Sequence, residues 1–134
     1  ITIMRRMMYR ISADLATIRK CQAIASGESI GQVASQTLKS MRVINEVTNM
    51  PVLRPLVTFD KNDIIHISKL IKTYDISIRP FEDCCTIFRP QNPRTKPNYK
   101  STIWLEQQFN YEALIVEAIN GTESRIISAN CGDL

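Results

Sequence analysis

Short apolar runs alternate with segments of helical periodicity along this chain, and the alternation constrains the fold more than any other feature. Three runs are typical of short buried strands: CQAIA at 21–25, the middle of PVLRPLVTF at 51–59, and ISI at 76–78. Between and after them, apolar residues three and four apart predict helices over about residues 4–19, 30–44, 64–71 and 103–119. Strands that alternate with helices form βαβ units, so we expect an α/β fold with a parallel sheet and helices on both faces.

Further signals concern the start of the chain, the ends of predicted helices and the location of the protein. The opening ITIM is typical of the end of a strand, so we expect residues 1–134 to be the later part of a domain whose first strands lie upstream. Asp60 and Asp63 predict a capping box at the start of a helix, and Gly121 predicts the end of the last helix. No run approaches the ~20 apolar residues of a membrane span, and the start lacks a signal-peptide pattern. We therefore expect a cytoplasmic protein with no membrane partner.

The net charge of +4 is unevenly distributed. Residues 1–100 carry sixteen Lys and Arg against eight Asp and Glu, whereas residues 101–134 carry one against five. A basic surplus of this kind favours an anionic partner for the first hundred residues. A solvated basic surface without a partner is the alternative that charge alone leaves open.

The four cysteines do not have a metal-binding spacing, since no C-x-x-C or Cys/His pair occurs, and we expect no metal site. A bridge between the adjacent Cys84 and Cys85 would be strained, which favours reduced thiols. Cys21 lies in a strand-like run and is expected to be a buried core thiol. For Cys131, near the terminus, a structural and a functional role are both open. The single histidine, His66, is expected at the surface or boundary of a helix.

The stretch SGESIGQVASQT at 26–37 joins a predicted strand to a predicted helix. Ligands collect at the carboxyl ends of parallel strands, and a helix N-terminus offers N–H groups to a phosphate. Glu28, Gln32 and Gln36 lie four apart and are expected to form one polar stripe. The alternative is a glycine-rich turn followed by an ordinary helix, and the stretch matches neither the P-loop nor the G-x-G-x-x-G pattern.

Four stretches carry a resemblance to a known family: RRMMYRIS, SGESIGQVASQTL, INEVTNMPVLRPLVTFDKNDIIHISKLIKTYDISI and PFEDCCTIF…NPRTKP. They closely resemble the tRNA 4-thiouridine synthetases, also known as thiamine-biosynthesis sulfurtransferases, almost continuously over residues 1–97. The resemblance implies a partial Rossmann-like ATP-pyrophosphatase domain of the adenine nucleotide alpha hydrolase type. It also implies an enzyme that adenylates a tRNA uridine with ATP, Mg serving as counter-ion, and replaces the activated oxygen with sulfur.

The resemblance also implies roles for individual residues. The family's GES-x-GQ-x-x-SQT segment lies at its nucleotide pocket, and two arginines are expected beside it, so the implied cofactor-binding residues are Arg5, Arg6, Gly27, Glu28, Ser29, Gly31, Gln32 and Gln36. The family's sulfur-bearing cysteine falls on Cys84. Cys85 or Cys131 is the candidate second thiol, because a nearby thiol can attack the intermediate and release the product.

The basic, proline-containing stretch after the cysteines is expected to contact RNA phosphates rather than read bases, through Arg89, Arg94 and Lys96. A plain surface linker is the alternative. The expected partners are tRNA, a cysteine desulfurase as sulfur donor, and a second copy of the chain in a homodimer, because a partial domain leaves apolar faces uncovered.

The chain departs from the family pattern in two respects. It lacks the pyrophosphate-binding Ser-Gly-Gly-x-Asp-Ser loop and the N-terminal RNA-binding modules, so residues 1–134 are expected to be the C-terminal part of the catalytic domain and inactive alone. Two other functions stay open: another pyrophosphatase-fold enzyme that uses no cysteine, and a non-catalytic RNA-binding fragment.

Overall fold

The computed structural model describes residues 1–81 and 96–127. Their elements in chain order are α1 (Thr2–Ile18), β1 (Ile24–Ala25), a 3-10 turn (Ala34–Gln36), α2 (Leu38–Asn45), β2 (Val52–Leu53), α3 (Lys61–Leu70), α4 (Tyr74–Ser77), α5 (Tyr99–Glu106) and α6 (Tyr111–Asn120). The α/β class expected from the sequence is confirmed.

The two strands form a parallel pair in which Ile24 lies opposite Val52 and Ala25 opposite Leu53. The pairing continues one residue further, because the N–H of Ser26 donates to the carbonyl of Leu53 at 2.9 Å. Pro51 and Pro55 flank β2, and proline cannot donate to a strand ladder, which confines pairing to the middle of the apolar run as predicted.

The core lies where α1 packs against α2 and α6. Its buried apolar side chains are Tyr9, Met41, Val43, Ile44 and Ile115. Helices α3 and α4 pack on each other and bury no residue among those described. The predicted capping box is confirmed at α3, where the Asp60 side chain accepts from the N–H groups of Asn62 at 2.7 Å and Asp63 at 3.0 Å.

Two predictions of strand structure are wrong. The opening ITIM is not the end of a strand, because α1 begins at Thr2 and the N–H of Arg5 donates to the carbonyl of Ile1 at 3.0 Å. The run at 76–78 is not a strand either, since α4 covers Tyr74–Ser77. Lys72 has a φ of 58°, which ends α3 and turns the chain into this short helix.

The helix predicted over 30–44 begins only at Leu38, because the Thr37 side chain accepts from the N–H of Ser40 at 3.2 Å and caps α2 there. The helix predicted over 103–119 is divided into α5 and α6. Asn110 caps the second of these through the N–H of Ala113 at 3.2 Å. Gly121 lies at the end of α6, as predicted.

Candidate functional site

The segment 26–37 leaves the carboxyl end of β1 and lies along the chain that follows β2. The N–H of Ile30 donates to the carbonyl of Val57 at 3.0 Å, and the Ser29 hydroxyl donates to the carbonyl of Phe59 at 2.6 Å. These bonds hold the segment at the edge of the parallel pair where ligands of α/β domains collect.

The two glycines of this segment differ in backbone conformation. Gly31 has a φ of 82°, a conformation that favours glycine, and its N–H donates to the carbonyl of Gln36 at 3.0 Å. Gly27 is exposed, and a Cβ added there meets no atom within 4 Å. The turn therefore favours glycine at position 31, and the space beside both glycines is open, which allows a ligand to approach the backbone.

Glu28 is buried, with 2% of its surface exposed, and three side chains donate to its carboxylate. Its Oε1 accepts from Arg5 Nη2 at 2.5 Å, and its Oε2 accepts from the Tyr9 hydroxyl at 2.7 Å and from Arg54 Nε at 2.6 Å. Arg54 Nη2 also donates to Asn45 Oδ1 at 2.8 Å and to the Tyr9 oxygen at 3.2 Å. We call these five residues the Glu28 network; they fasten the segment to α1, to the end of α2 and to the residue after β2.

The carboxyl group of Glu28 is ionised within this network. Burial raises its pKa, but hydrogen bonds from Tyr9 and Arg54 and the charges of Arg5 and Arg54 outweigh burial and hold the pKa below its usual value. Burial and the hydrogen bond to Glu28 together raise the pKa of Tyr9, which therefore stays a hydrogen-bond donor. Both oxygens of Glu28 accept hydrogen bonds from side chains of the chain, and these bonds hold the segment against α1 and the residue after β2.

Arg6 faces away from the segment, although the sequence grouped it with Arg5. Adjacent helical residues are 100° apart, and Arg6 donates to Glu106 through Nε at 3.0 Å and Nη2 at 3.1 Å. It also donates to Glu46 at 3.0 Å and to the carbonyl of Val43. Arg6 therefore connects α1 to α2 and α5.

Glu106 also accepts two hydrogen bonds from Arg10, at 2.5 and 2.9 Å, so two forked arginines hold one buried carboxylate. Burial raises the pKa of Glu106, but the bonds from Arg10 and Arg6 lower it below its usual value. The Tyr99 hydroxyl donates to Glu46 at 2.5 Å. We call Arg6, Arg10, Glu46, Tyr99 and Glu106 the Glu106 network.

The predicted polar stripe of Glu28, Gln32 and Gln36 is wrong, because these residues do not share a helix. Gln32 is exposed, and Gln36 ends the 3-10 turn, where its Oε1 is buried with no hydrogen-bond donor among the described residues. Among the described contacts of these three residues, those of Glu28 engage both of its side-chain oxygens.

An open cleft of about 330 Å³ brings together two predictions that are distant in sequence. Gly31, from the predicted nucleotide segment, and Lys96, from the predicted RNA-binding stretch, both line it. The other lining residues are Ile30, Thr37, Leu38 and Lys39.

Several predicted residues lie outside the described part of the chain: Cys84, Cys85, Arg89, Arg94 and Cys131. The prediction that Cys21 is a buried core thiol is wrong, because its thiol is exposed next to the end of α1. His66 is exposed on α3, as predicted. In residues 1–81 and 96–127, no group of three or more His, Cys, Asp or Glu side chains is arranged to hold a metal, and no helix is long and apolar enough to cross a membrane.

Sequence reasoning missed the residues that hold the segment in place, chiefly Tyr9, Asn45 and Arg54. One signal was present for Tyr9, which lies four residues after Arg5 and so shares its helix face. Arg54 stands between two apolar residues and a proline in a strand run, where a charged side chain needs a partner. The identity of that partner, Glu28, depends on the parallel pairing and was not visible in the spacing.

Strand β1, the segment that follows it and the parallel partner β2 define an α/β domain with a candidate ligand site at the strand ends. Comparison with known proteins gives the family: residues 1–111 match the family model described as Thiamine biosynthesis protein (ThiI). The chain belongs to this family.

A solved structure described as "Crystal structure of a 4-thiouridine synthetase - RNA complex with bound ATP" is similar to this chain at 42% sequence identity and a TM-score of 0.80. The match covers 90% of this chain and 31% of that one, so the chain spans about a third of its relative's length. The ATP-pyrophosphatase type of fold expected from the sequence is confirmed by this likeness.

Proposed function

We propose that this chain is part of a tRNA sulfurtransferase that uses ATP to adenylate a uridine and inserts persulfide sulfur to give 4-thiouridine. The observation that carries the proposal is the 42% identity, over 90% of the chain, to a 4-thiouridine synthetase crystallised with RNA and ATP. The family match over residues 1–111 also supports a link to sulfur delivery for thiamine thiazole synthesis. The chain is proposed to be the C-terminal part of the catalytic domain and to act in the cytoplasm, where thiols stay reduced.

The segment 26–37 is proposed to lie at the ATP site. The open space at Gly27 supports this role, because a phosphate or ribose can approach the backbone there without meeting a side chain. The other residues proposed to contact the nucleotide and its Mg counter-ion are Ser29, Gly31, Gln32 and Gln36. Arg5 and Glu28 are proposed to act by holding the segment in position. Arg6 is proposed to act less directly, by connecting α1 to α5.

The sulfur step is proposed to use Cys84. Attack of the uracil O4 on the α-phosphorus of ATP forms the adenylate and releases pyrophosphate. The terminal sulfur of a Cys84 persulfide then attacks C4, and AMP leaves with the former O4. A second thiol, from Cys85 or Cys131, attacks the Cys84 sulfur, which forms a disulfide and frees 4-thiouridine. A cysteine desulfurase supplies the persulfide sulfur, and a dithiol reductant restores the thiols.

The tRNA is proposed to contact Arg89, Arg94 and Lys96 through its phosphates. A homodimer is proposed as well, because α3, α4 and the residues that follow expose several large apolar side chains: Leu70, Ile71, Ile76, Ile78 and Phe81. Analytical ultracentrifugation tests the dimer: sedimentation at twice the monomer mass is expected, and a compact monomer at micromolar concentration contradicts it.

The experiment for the sulfur step is intact-protein mass spectrometry of the intact natural protein after incubation with a cysteine desulfurase and cysteine. One added sulfur is expected on the wild type and on the matched control Cys85→Ser, and none on Cys84→Ser. In the same preparations, nucleoside analysis of tRNA is expected to show ATP-dependent 4-thiouridine with the wild type and none with Cys84→Ser. Full activity of Cys84→Ser contradicts the sulfurtransferase and favours a pyrophosphatase-fold enzyme that uses no cysteine.

A further inference from the structure

Three pieces of the described chain line the cleft beside Gly31. Ile30 and Gly31 come from the loop after β1, Thr37 to Lys39 come from the cap and first residues of α2, and Lys96 follows the cysteine stretch. Its volume of about 330 Å³ is in the range of small-ligand sites, and it is open to solvent.

Two lysines lie at this cleft. Lys39 and Lys96 are both exposed, and within the described part of the chain neither forms an ion pair with a carboxylate. The rest of the lining is apolar or small, with Ile30 and Leu38 largely exposed. Positive charge next to exposed apolar surface suits a ligand that has both phosphate and a flat or sugar-like face.

The lining also favours one kind of nucleotide ligand. No Asp, Glu, Asn or Gln among the described residues lines the cleft, so the described lining offers no such side chain to the hydrogen-bonding edge of a base. Lysines act as point charges and hold phosphates without reading sequence. This combination fits one nucleotide of a strand that is held elsewhere along its length.

We propose that this cleft binds an unpaired nucleotide of the RNA substrate, with its flanking phosphates at Lys39 and Lys96 and its ribose or base against Ile30 and Leu38. The inference rests on the proposed function, which makes tRNA the substrate, and it assigns to Lys39 a role that the sequence did not indicate. It also brings the RNA strand next to Gly31, within the segment proposed for the activating nucleotide.

The test compares Lys39→Ala, Lys96→Ala and the double variant with Arg42→Ala in the intact natural protein. Arg42 is a matched control, because it is an exposed cation on the same helix as Lys39 and does not line the cleft. Affinity for unmodified tRNA is measured by fluorescence anisotropy over a series of salt concentrations, ATP affinity is measured separately, and 4-thiouridine formation is measured at saturating tRNA.

Each single cleft variant is expected to bind tRNA roughly fivefold more weakly at low salt and to lower the slope of log affinity against log salt by about 0.7, the value for one phosphate contact to a single strand. The double variant is expected to lower the slope by about 1.4, the value for two contacts. Arg42→Ala is expected to match the wild type in both. Lys39→Arg keeps the charge and is expected to restore the salt slope.

Cleft variants that bind tRNA as Arg42→Ala does overturn the proposal. A loss of ATP affinity with unchanged tRNA binding also overturns it and assigns the cleft to the free nucleotide. The proposed function is judged separately: a wild type that forms 4-thiouridine while the lysine variants bind normally contradicts the cleft alone. A wild type that forms none, while its tRNA affinity depends on both lysines, contradicts the function and supports the cleft.

Discussion

Two buried glutamates on different sides of α1 use the same chemistry for different purposes. Glu28 and Glu106 are each 2% exposed, and each accepts hydrogen bonds from two arginines. The Glu28 network joins residues within the first 54 of the chain and connects the candidate nucleotide segment to α1, to the end of α2 and to the residue after β2. The Glu106 network joins residues about a hundred positions apart and attaches α5 to α1.

Buried glutamates that are bound by two arginines therefore serve different purposes within this fold. Around Glu106 both cations belong to one helix and both bind as forks, which suits a rigid connection between helices. Around Glu28 the donors come from α1 and from the residue after β2, with a tyrosine between them, so the carboxylate fixes a loop relative to two elements. Loss of the Glu106 network is expected to affect folding, and loss of the Glu28 network is expected to affect the site.

The largest effect on stability is expected for Glu106→Ala. The change leaves Arg6 buried without its main partner, which destabilises a protein by about 3–5 kcal/mol. Urea denaturation followed by circular dichroism measures the free energy of unfolding. Glu117→Ala is the control, because Glu117 is exposed on α6, and its change is expected to stay within about 0.5 kcal/mol. Equal stability of the two variants would show that the Glu106 network does not hold α5.

A smaller loss is expected for Tyr9→Phe. The hydroxyl donates to Glu28 and accepts from Arg54, so its removal takes one donor from a buried carboxylate and costs about 1–3 kcal/mol. Tyr74→Phe is the matched control, since the structure gives its hydroxyl no hydrogen bond among the described residues. If thermal denaturation gives both variants the same midpoint, the Tyr9 hydroxyl contributes nothing to the network.

The two networks also predict how stability depends on pH. The folded-state pKa values of Glu28 and Glu106 are both lowered, so their contribution is complete above the ordinary glutamate pKa of about 4.3 and is lost as the pH falls below it. The urea midpoint is therefore expected to fall as the pH drops below about 4.3 toward the lowered folded-state pKa values. Glu28→Gln is expected to make that fall shallower. An identical pH profile in the variant and the wild type would contradict the pairing.

The smallest effect is expected at the edge of the Glu106 network. Tyr99 is exposed, and its hydrogen bond to Glu46, together with slight burial and the Glu46 charge, raises the pKa of its phenol. Glu46→Gln is expected to return that pKa toward its usual value in an absorbance titration, whereas Tyr99→Phe leaves the unfolding midpoint unchanged because exposed pairs contribute little. A clear drop in the midpoint of Tyr99→Phe would extend the structural part of the network to the surface.

The sequence predicted those elements whose signals are local. The capping box at Asp60, the end of α6 at Gly121 and the confinement of β2 between prolines all depend on residues within one turn of each other. It failed where local periodicity was ambiguous: the apolar ISI run also suits a short helix, and Gly31 and Thr37 delay the start of α2.

The candidate site was only partly predictable for a related reason. Family resemblance identified the segment at 26–37, and its position after a parallel strand follows from the alternation of elements. The partners of Glu28, and the position of Lys39 and Lys96 at one cleft, depend on contacts between distant parts of the chain. Spacing along a sequence does not encode such contacts, and it could not show that Arg5 and Arg6 serve different glutamates.

The most direct test of the division between the two networks compares Glu28→Gln with Glu106→Gln in the intact natural protein, by the proposed ATP-dependent formation of 4-thiouridine, at a temperature where both variants are folded. We expect Glu28→Gln to raise KM for ATP or to lower kcat by on the order of tenfold or more, because the segment loses its position. Glu106→Gln is expected to keep both constants near those of the wild type and to lose stability instead. Equal kinetic losses in the two variants would contradict different roles for Glu28 and Glu106.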